Sequence, residues 1–155
     1  MSGLAVGKPV RDFSLPSTAG KDFQPRDAPG KASVLYFYAR DNTPGCRFEA
    51  QDFQRLLPAF RRAAVRVCGI SRDSLAAHQK FCDQSGLGFE LLVDEKGDAC
   101  KLFDVIHEKN LYGRKTLGVV RSTFLIDSAG KLRQEWRKVR VTGHAAEVLE
   151  AAKAL

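Results

Sequence analysis

Two hydrophobic periods alternate along this chain. Residues 33–38 (Ser-Val-Leu-Tyr-Phe-Tyr) form a continuous β-branched and aromatic run, the pattern of a strand buried on both faces and therefore central in a sheet. After the break Asp41-Asn-Thr-Pro-Gly45, apolar residues recur at Phe53, Leu56, Leu57, Phe60 and Ala64, close to the spacing of an amphipathic helix. Residues 65–70 predict a second strand. Asp73 or Ser74 then caps a helix that carries Leu75, Ala76, Phe81 and Cys82 and stops at Gly86. Residues 90–93 read as a short third strand and 98–104 as a short helix. Residues 122–126 and 131–137, joined by the turn Asp127-Ser-Ala-Gly130, predict an antiparallel hairpin, and a last helix starts near Thr142 or Gly143. Near the N-terminus, Phe13-Ser-Leu15 and Asp22-Phe23 flank turn residues and suggest a hairpin at an edge. The alternation predicts an α/β fold, a central sheet flanked by helices on both faces.

The chain has 155 residues and no repeat or Gly/Ser linker that would divide it, so a single domain over 1–155 is expected. No stretch is apolar for long enough to cross a bilayer, and no secretory signal pattern stands at the N-terminus, which makes the cytoplasm the expected compartment. Net charge is +7, a balance that would suit a nucleic-acid binder. The basic residues are spread along the chain, however, and a solvated basic surface that steers an acidic protein partner is the better reading. The four cysteines, at 46, 68, 82 and 100, form no C-x-x-C pair, and the three histidines are equally scattered. No metal site is expected.

Residues 38–46 (Tyr-Ala-Arg-Asp-Asn-Thr-Pro-Gly-Cys) leave a buried strand at its C-terminal end, where α/β sheets place ligands. Cys46 then falls in the first turn of a helix, where unpaired amides and the positive end of the helix dipole favour a thiolate. Thr43 adds a hydroxyl three residues earlier. These residues suit a nucleophile; read alone, they also fit a buried structural cysteine at a proline-marked helix start, because free cysteines are commonly inert core residues.

Residues 36–46, Phe48-Glu-Ala50, 121–127 (Arg-Ser-Thr-Phe-Leu-Ile-Asp) and 136–144 (Trp-Arg-Lys-Val-Arg-Val-Thr-Gly-His), in this order, resemble the peroxiredoxins of the Q type, also called bacterioferritin comigratory proteins. The likeness runs from Gly7 to the last helix. It implies a thioredoxin-like fold and reduction of hydrogen peroxide and organic hydroperoxides by a peroxidatic cysteine, Cys46, with no metal or organic cofactor. By the same resemblance Thr43 matches the family's hydroxyl residue and Arg121 its active-site arginine. Glu49, three residues after Cys46, is placed to orient that arginine.

Two positions depart from the family pattern. Ala39 stands where proline is usual, and Gln51 occupies the position, five after Cys46, where many members carry the resolving cysteine. A subset of the family places that cysteine in the helix corresponding to residues 75–85, which implies that Cys82 resolves Cys46, with Cys100 ranked second and Cys68 last, and that thioredoxin recycles the disulfide. Open alternatives are a one-cysteine peroxidase reduced by an external thiol and a peroxide-sensing redox switch. A monomer is expected, with neither nucleic acid nor membrane as partner.

Overall fold

The computed structural model describes residues 4–25 and 31–155. Its centre is a five-stranded mixed sheet in the order β3-β2-β1-β6-β7. β1 (Ala32–Phe37) lies in the middle, parallel to β2 (Val65–Ser71) and antiparallel to β6 (Ser122–Ile126). β3 (Glu90–Val93) extends the sheet in parallel beyond β2, and β7 (Leu132–Arg137) pairs antiparallel with β6. The helices are α1 (Pro44–Arg62), α2 (Leu75–Ser85), α3 (Asp98–Leu102) and α4 (His144–Lys153).

Alternation within β1 builds two cores. Val34 and Tyr36 pack with Phe53, Leu57 and Phe60 of α1, Phe81 of α2 and Val148 and Leu149 of α4. Leu35 and Phe37 face the opposite layer, with Ala99 and Cys100 of α3, Phe103, Phe124, and Leu15 and Phe23 from the N-terminal segment. Stacked rings consolidate the first layer, the Tyr36 and Phe53 centroids being 4.6 Å apart.

Three local expectations change. The N-terminal hairpin is reduced to a single bridge, Leu15 to Phe23, because Ser17 bridges instead to Leu92 and joins this segment to the edge strand β3. The short helix ends at Leu102, where Phe103 turns into the core. A second, two-stranded sheet, β4 (Ile106–Leu111) with β5 (Arg114–Val119), occupies a stretch in which no element was expected. Its turn residues Tyr112 and Gly113 both have positive φ, 52° and 77°. That is the two-residue hairpin geometry usually signalled by Asn-Gly, here with tyrosine in the first position.

Candidate active site

β1 delivers the chain into the loop 38–43 from the middle of the sheet. Asn42, at φ 66°, turns that loop, and Pro44 opens α1, so that Cys46 occupies the first helical turn with 2% of its surface exposed. Arg121, just before β6, reaches the same point because β6 pairs with β1. Its Nη2 donates to Cys46 Sγ at 3.3 Å and its Nη1 to Glu49 Oε1 at 2.6 Å. Gly45 leaves room for this approach, since a Cβ there would stand 3.3 Å from Arg121 Nη2. Thr43 is the N-cap of α1, yet its hydroxyl makes no cap bond and donates instead to the Arg40 carbonyl at 3.0 Å.

Burial sets the electrostatics. Glu49 is pushed up to about 7 by burial, against the pull of Arg121, and its Oε2 has no hydrogen-bond partner among the described residues. Burial works to lower the Arg121 guanidinium, but Glu49 and Cys46 outweigh it and raise its hold on the proton. His144 is buried at the start of α4, with Nε2 2.8 Å from Thr123 Oγ1. Burial first, then the charge of Arg121, lowers it to about 4, so this ring is neutral.

Cys82 stands apart, on α2, as a free thiol. It is half-buried, lines a surface depression of about 500 Å³ with Thr18, Gln79 and Leu87, and lies 3.9 Å from Thr18 Oγ1. Burial raises its thiol above the ordinary cysteine range. One residue feels both cysteines: Tyr36, fully buried and raised well above its usual value by burial and then by Glu49, Cys46, Cys82 and Asp41. Cys68 and Cys100 are wholly enclosed in the opposite layer, and burial raises both thiols.

Sequence reasoning missed a polar network beside this site. His78, with none of its surface exposed, places Nδ1 2.6 Å from Asp41 Oδ2 and Nε2 2.8 Å from the Leu92 carbonyl. Tyr38 donates to the other oxygen of Asp41 at 2.6 Å, and the Asp41 amide donates to Asp73 Oδ2 at 2.9 Å. Asp41, Asp73 and His78 bring metal-ligand types of atom within 4.8 Å of one another, but hydrogen bonds already engage both oxygens of Asp41 and both ring nitrogens of His78. One signal was available: His78 and Cys82 are four apart, hence on one face of their helix.

Comparison with known proteins bears on the whole chain. Residues 6–135 match the model of the AhpC/TSA family. Peroxiredoxin Bcp of Xanthomonas campestris is 44% identical over 156 residues, covering 99% of this chain and 98% of that protein. Peroxiredoxin Bcp of Bacillus subtilis is 41% identical over 150 residues, covering 97% and 96%. Among solved structures, the X. campestris bacterioferritin comigratory protein, studied for alkyl peroxide reduction, superposes with a TM-score of 0.90 at 43% identity, covering 98% of this chain and 97% of that one. A cysteine-to-serine variant of Xylella fastidiosa PrxQ gives 0.93 at 39% identity, covering 99% and 98%. The thioredoxin-like architecture expected from the sequence is the one these neighbours share. No helix among the described residues is long and apolar enough to cross a membrane.

Proposed function

From the premise that the chain belongs to the AhpC/TSA family and is a peroxiredoxin, a thiol-dependent peroxidase, we propose that Cys46 is its peroxidatic cysteine and Cys82 its resolving one. The observation that carries the first assignment is the Arg121 guanidinium, which touches Cys46 Sγ while Glu49 holds its other nitrogen. A charge fixed there stabilises the Cys46 thiolate and then the negative charge that passes to the departing peroxide oxygen. Thr43 and the free amides of the first turn hold the peroxide in line. The thiolate attacks one peroxide oxygen, the O–O bond breaks, and the second oxygen leaves with a proton as water or an alcohol. Cys46 becomes a sulfenic acid.

In the second step the Cys82 sulfur attacks the sulfenic sulfur, the S–O bond breaks, and hydroxide leaves with the Cys82 proton as water. Support comes from the X. campestris PrxQ, solved as two single cysteine-to-serine variants whose positions are separated in sequence as Cys46 and Cys82 are. That protein's alkyl peroxide reduction also supports organic hydroperoxides as substrates alongside hydrogen peroxide. Thioredoxin returns two electrons from its dithiol, and the chain's +7 charge suits attraction to an acidic reductant. The enzyme works as a monomer in the cytoplasm, with no organic cofactor.

The test is to treat reduced protein with one equivalent of hydrogen peroxide, digest it without reductant and map the bonds by mass spectrometry. A Cys46–Cys82 pair that vanishes in Cys82→Ser is expected. A stable Cys46 sulfenic acid, or a Cys46–Cys100 pair, in the unsubstituted protein overturns the resolving assignment.

A further inference from the structure

The step from sulfenic acid to disulfide sets a geometric problem. Cys46 lies in the first turn of α1 and Cys82 in the last turns of α2. A disulfide requires Cα atoms within about 7 Å, which two cysteines on regular helices rarely meet without backbone movement. The structure indicates which part of α2 yields. Its N-terminal half is tied down: Ser74 accepts the Ala77 amide at 3.2 Å, and His78 is completely buried. Its C-terminal half carries the half-buried Cys82 and stops at Gly86, in the left-handed region at φ 63°.

His78 is the last polar anchor of α2 before Cys82, and beyond it Phe81 alone is buried in the core. Leu92 offers a carbonyl, which has no proton, so Nε2 carries hydrogen and donates to β3. A single shared proton then lies between Nδ1 and Asp41 Oδ2. Asp41 is held in turn by Tyr38 at the end of β1 and, through its amide, by Asp73, which accepts the Ser71 hydroxyl at 2.5 Å. None of these anchors has to move for the disulfide to form. They join the end of β1, β2, β3 and the beginning of α2.

Resting on the assignment of Cys82 as the resolving cysteine, we infer that the Asp41–His78 pair is a tether for the resolving step, holding together the roots of the two segments that carry the sulfurs while their helical turns unwind. Asp41 is five residues before Cys46, and His78 is four before Cys82. With the pair intact, the sulfurs meet by closing a loop of roughly nine residues; without it the next tie, the Asp41 amide to Asp73 Oδ2, leaves a loop of roughly 14, and closure probability falling as the −3/2 power of length makes the encounter about twofold rarer. His78 is a positioning residue for resolution and touches neither the peroxide nor Cys46.

The experiment separates the two steps. Reduced protein is mixed with excess hydrogen peroxide, quenched with an alkylating reagent at intervals, and analysed by mass spectrometry for thiol, sulfenic acid, sulfinic acid and disulfide. In His78→Gln, the first-order rate of Cys46–Cys82 formation should fall about twofold relative to the rate of Cys46 oxidation. The yield of Cys46 sulfinic acid at a given peroxide concentration should rise in proportion. Asp41→Asn, which keeps a hydrogen bond to Nδ1, should recover part of the resolving rate, a rescue that a simple loss of packing would not give. If His78→Gln loosens the fold, the comparison of His78→Gln with Asp41→Asn at equal melting temperature, set by denaturant, still decides. Unchanged or faster resolution in both variants overturns the tether. Absence of any Cys46–Cys82 pair in the unsubstituted protein overturns instead the assignment on which the tether rests.

Discussion

The two helices that present the cysteines are built in opposite ways. α1 has 19 residues and buries Ala50, Phe53, Leu57 and Phe60 along its length, so its first turn stands on a platform packed against β1 and α4. α2 has 11 residues and buries only His78 and Phe81 completely. The N-caps differ in the same sense: Ser74 closes a side-chain bond at the start of α2, whereas Thr43 makes none at the start of α1 and turns its hydroxyl to a loop carbonyl. On the proposed assignment, one helix start serves chemistry and the other anchorage. A nucleophile must be held within a fraction of an ångström of its partners, while the group that later attacks it must travel.

Substitutions at the cysteines should break this contrast most completely. Cys46→Ser should abolish consumption of hydrogen peroxide with thioredoxin and its reductase, while Cys82→Ser should still oxidise Cys46 once per chain and then stall. Near-normal turnover in Cys46→Ser would remove the basis for the assignment. Arg121→Ala should slow Cys46 oxidation by roughly 10²-fold to 10³-fold, the usual cost of losing one electrostatic stabiliser. Stopped mixing should find the subsequent resolving rate unaltered, because the Arg121 side-chain hydrogen bonds go to Glu49 and Cys46 of α1.

Acidity sharpens the comparison on the α1 side. Glu49, with its folded value near 7, loses its charge as pH falls through neutrality and releases Arg121. The oxidation rate should drop several-fold over that range, a dependence that Glu49→Gln should flatten. The same group makes the folded chain the tighter proton binder between an ordinary glutamate's 4.5 and about 7, so its contribution to stability is present below 4.5 and lost as pH rises through 7. His144, at about 4 against 6.5, acts the other way: its contribution is present above 6.5 and lost as pH falls toward 4. Urea midpoints measured from pH 4.5 to 6.5 should therefore rise with pH more steeply in Glu49→Gln than in the parent, and less steeply or downward in His144→Gln. Equal slopes in all three proteins would contradict both assignments.

The smallest effect concerns the caps. Ser74→Ala should cost about 1 kcal/mol of stability. Thr43→Ala should cost clearly less while impairing oxidation, and equal losses of stability would show that the two helix starts are not differently built.

Much of this design was legible in the sequence because it follows from periodicity. The run 33–38 marks a strand buried on both faces and lies in the centre of the sheet, and the Thr-Pro-Gly-Cys segment locates a thiol at a helix start. Glu49 and Arg121 were placed together by one helical spacing and one resemblance, and they meet at 2.6 Å. The hairpin 106–119 escaped notice because exposed residues occupy both of its faces over much of its length and no Asn-Gly or Asp-Gly marks its turn. The Asp41–His78 pair escaped for a different reason. Its members come from a loop and a helix separated by 37 positions, and the pairing depends on how β2 and β3 order themselves beside β1, which no local pattern records.

The arginine's place late in the chain has a consequence for biosynthesis. Its bonds to Glu49 and Cys46 span 72 and 75 positions, and it is seated only when β6 has paired with β1. A ribosome adding about 5 to 20 residues per second takes roughly 4 to 15 s to pass from Cys46 to Arg121. Throughout that interval the growing polypeptide carries Cys46 without the guanidinium that contacts it in the folded chain. On the proposed roles, the nascent chain lacks the cation that would activate Cys46 until β6 has been made and has paired with β1.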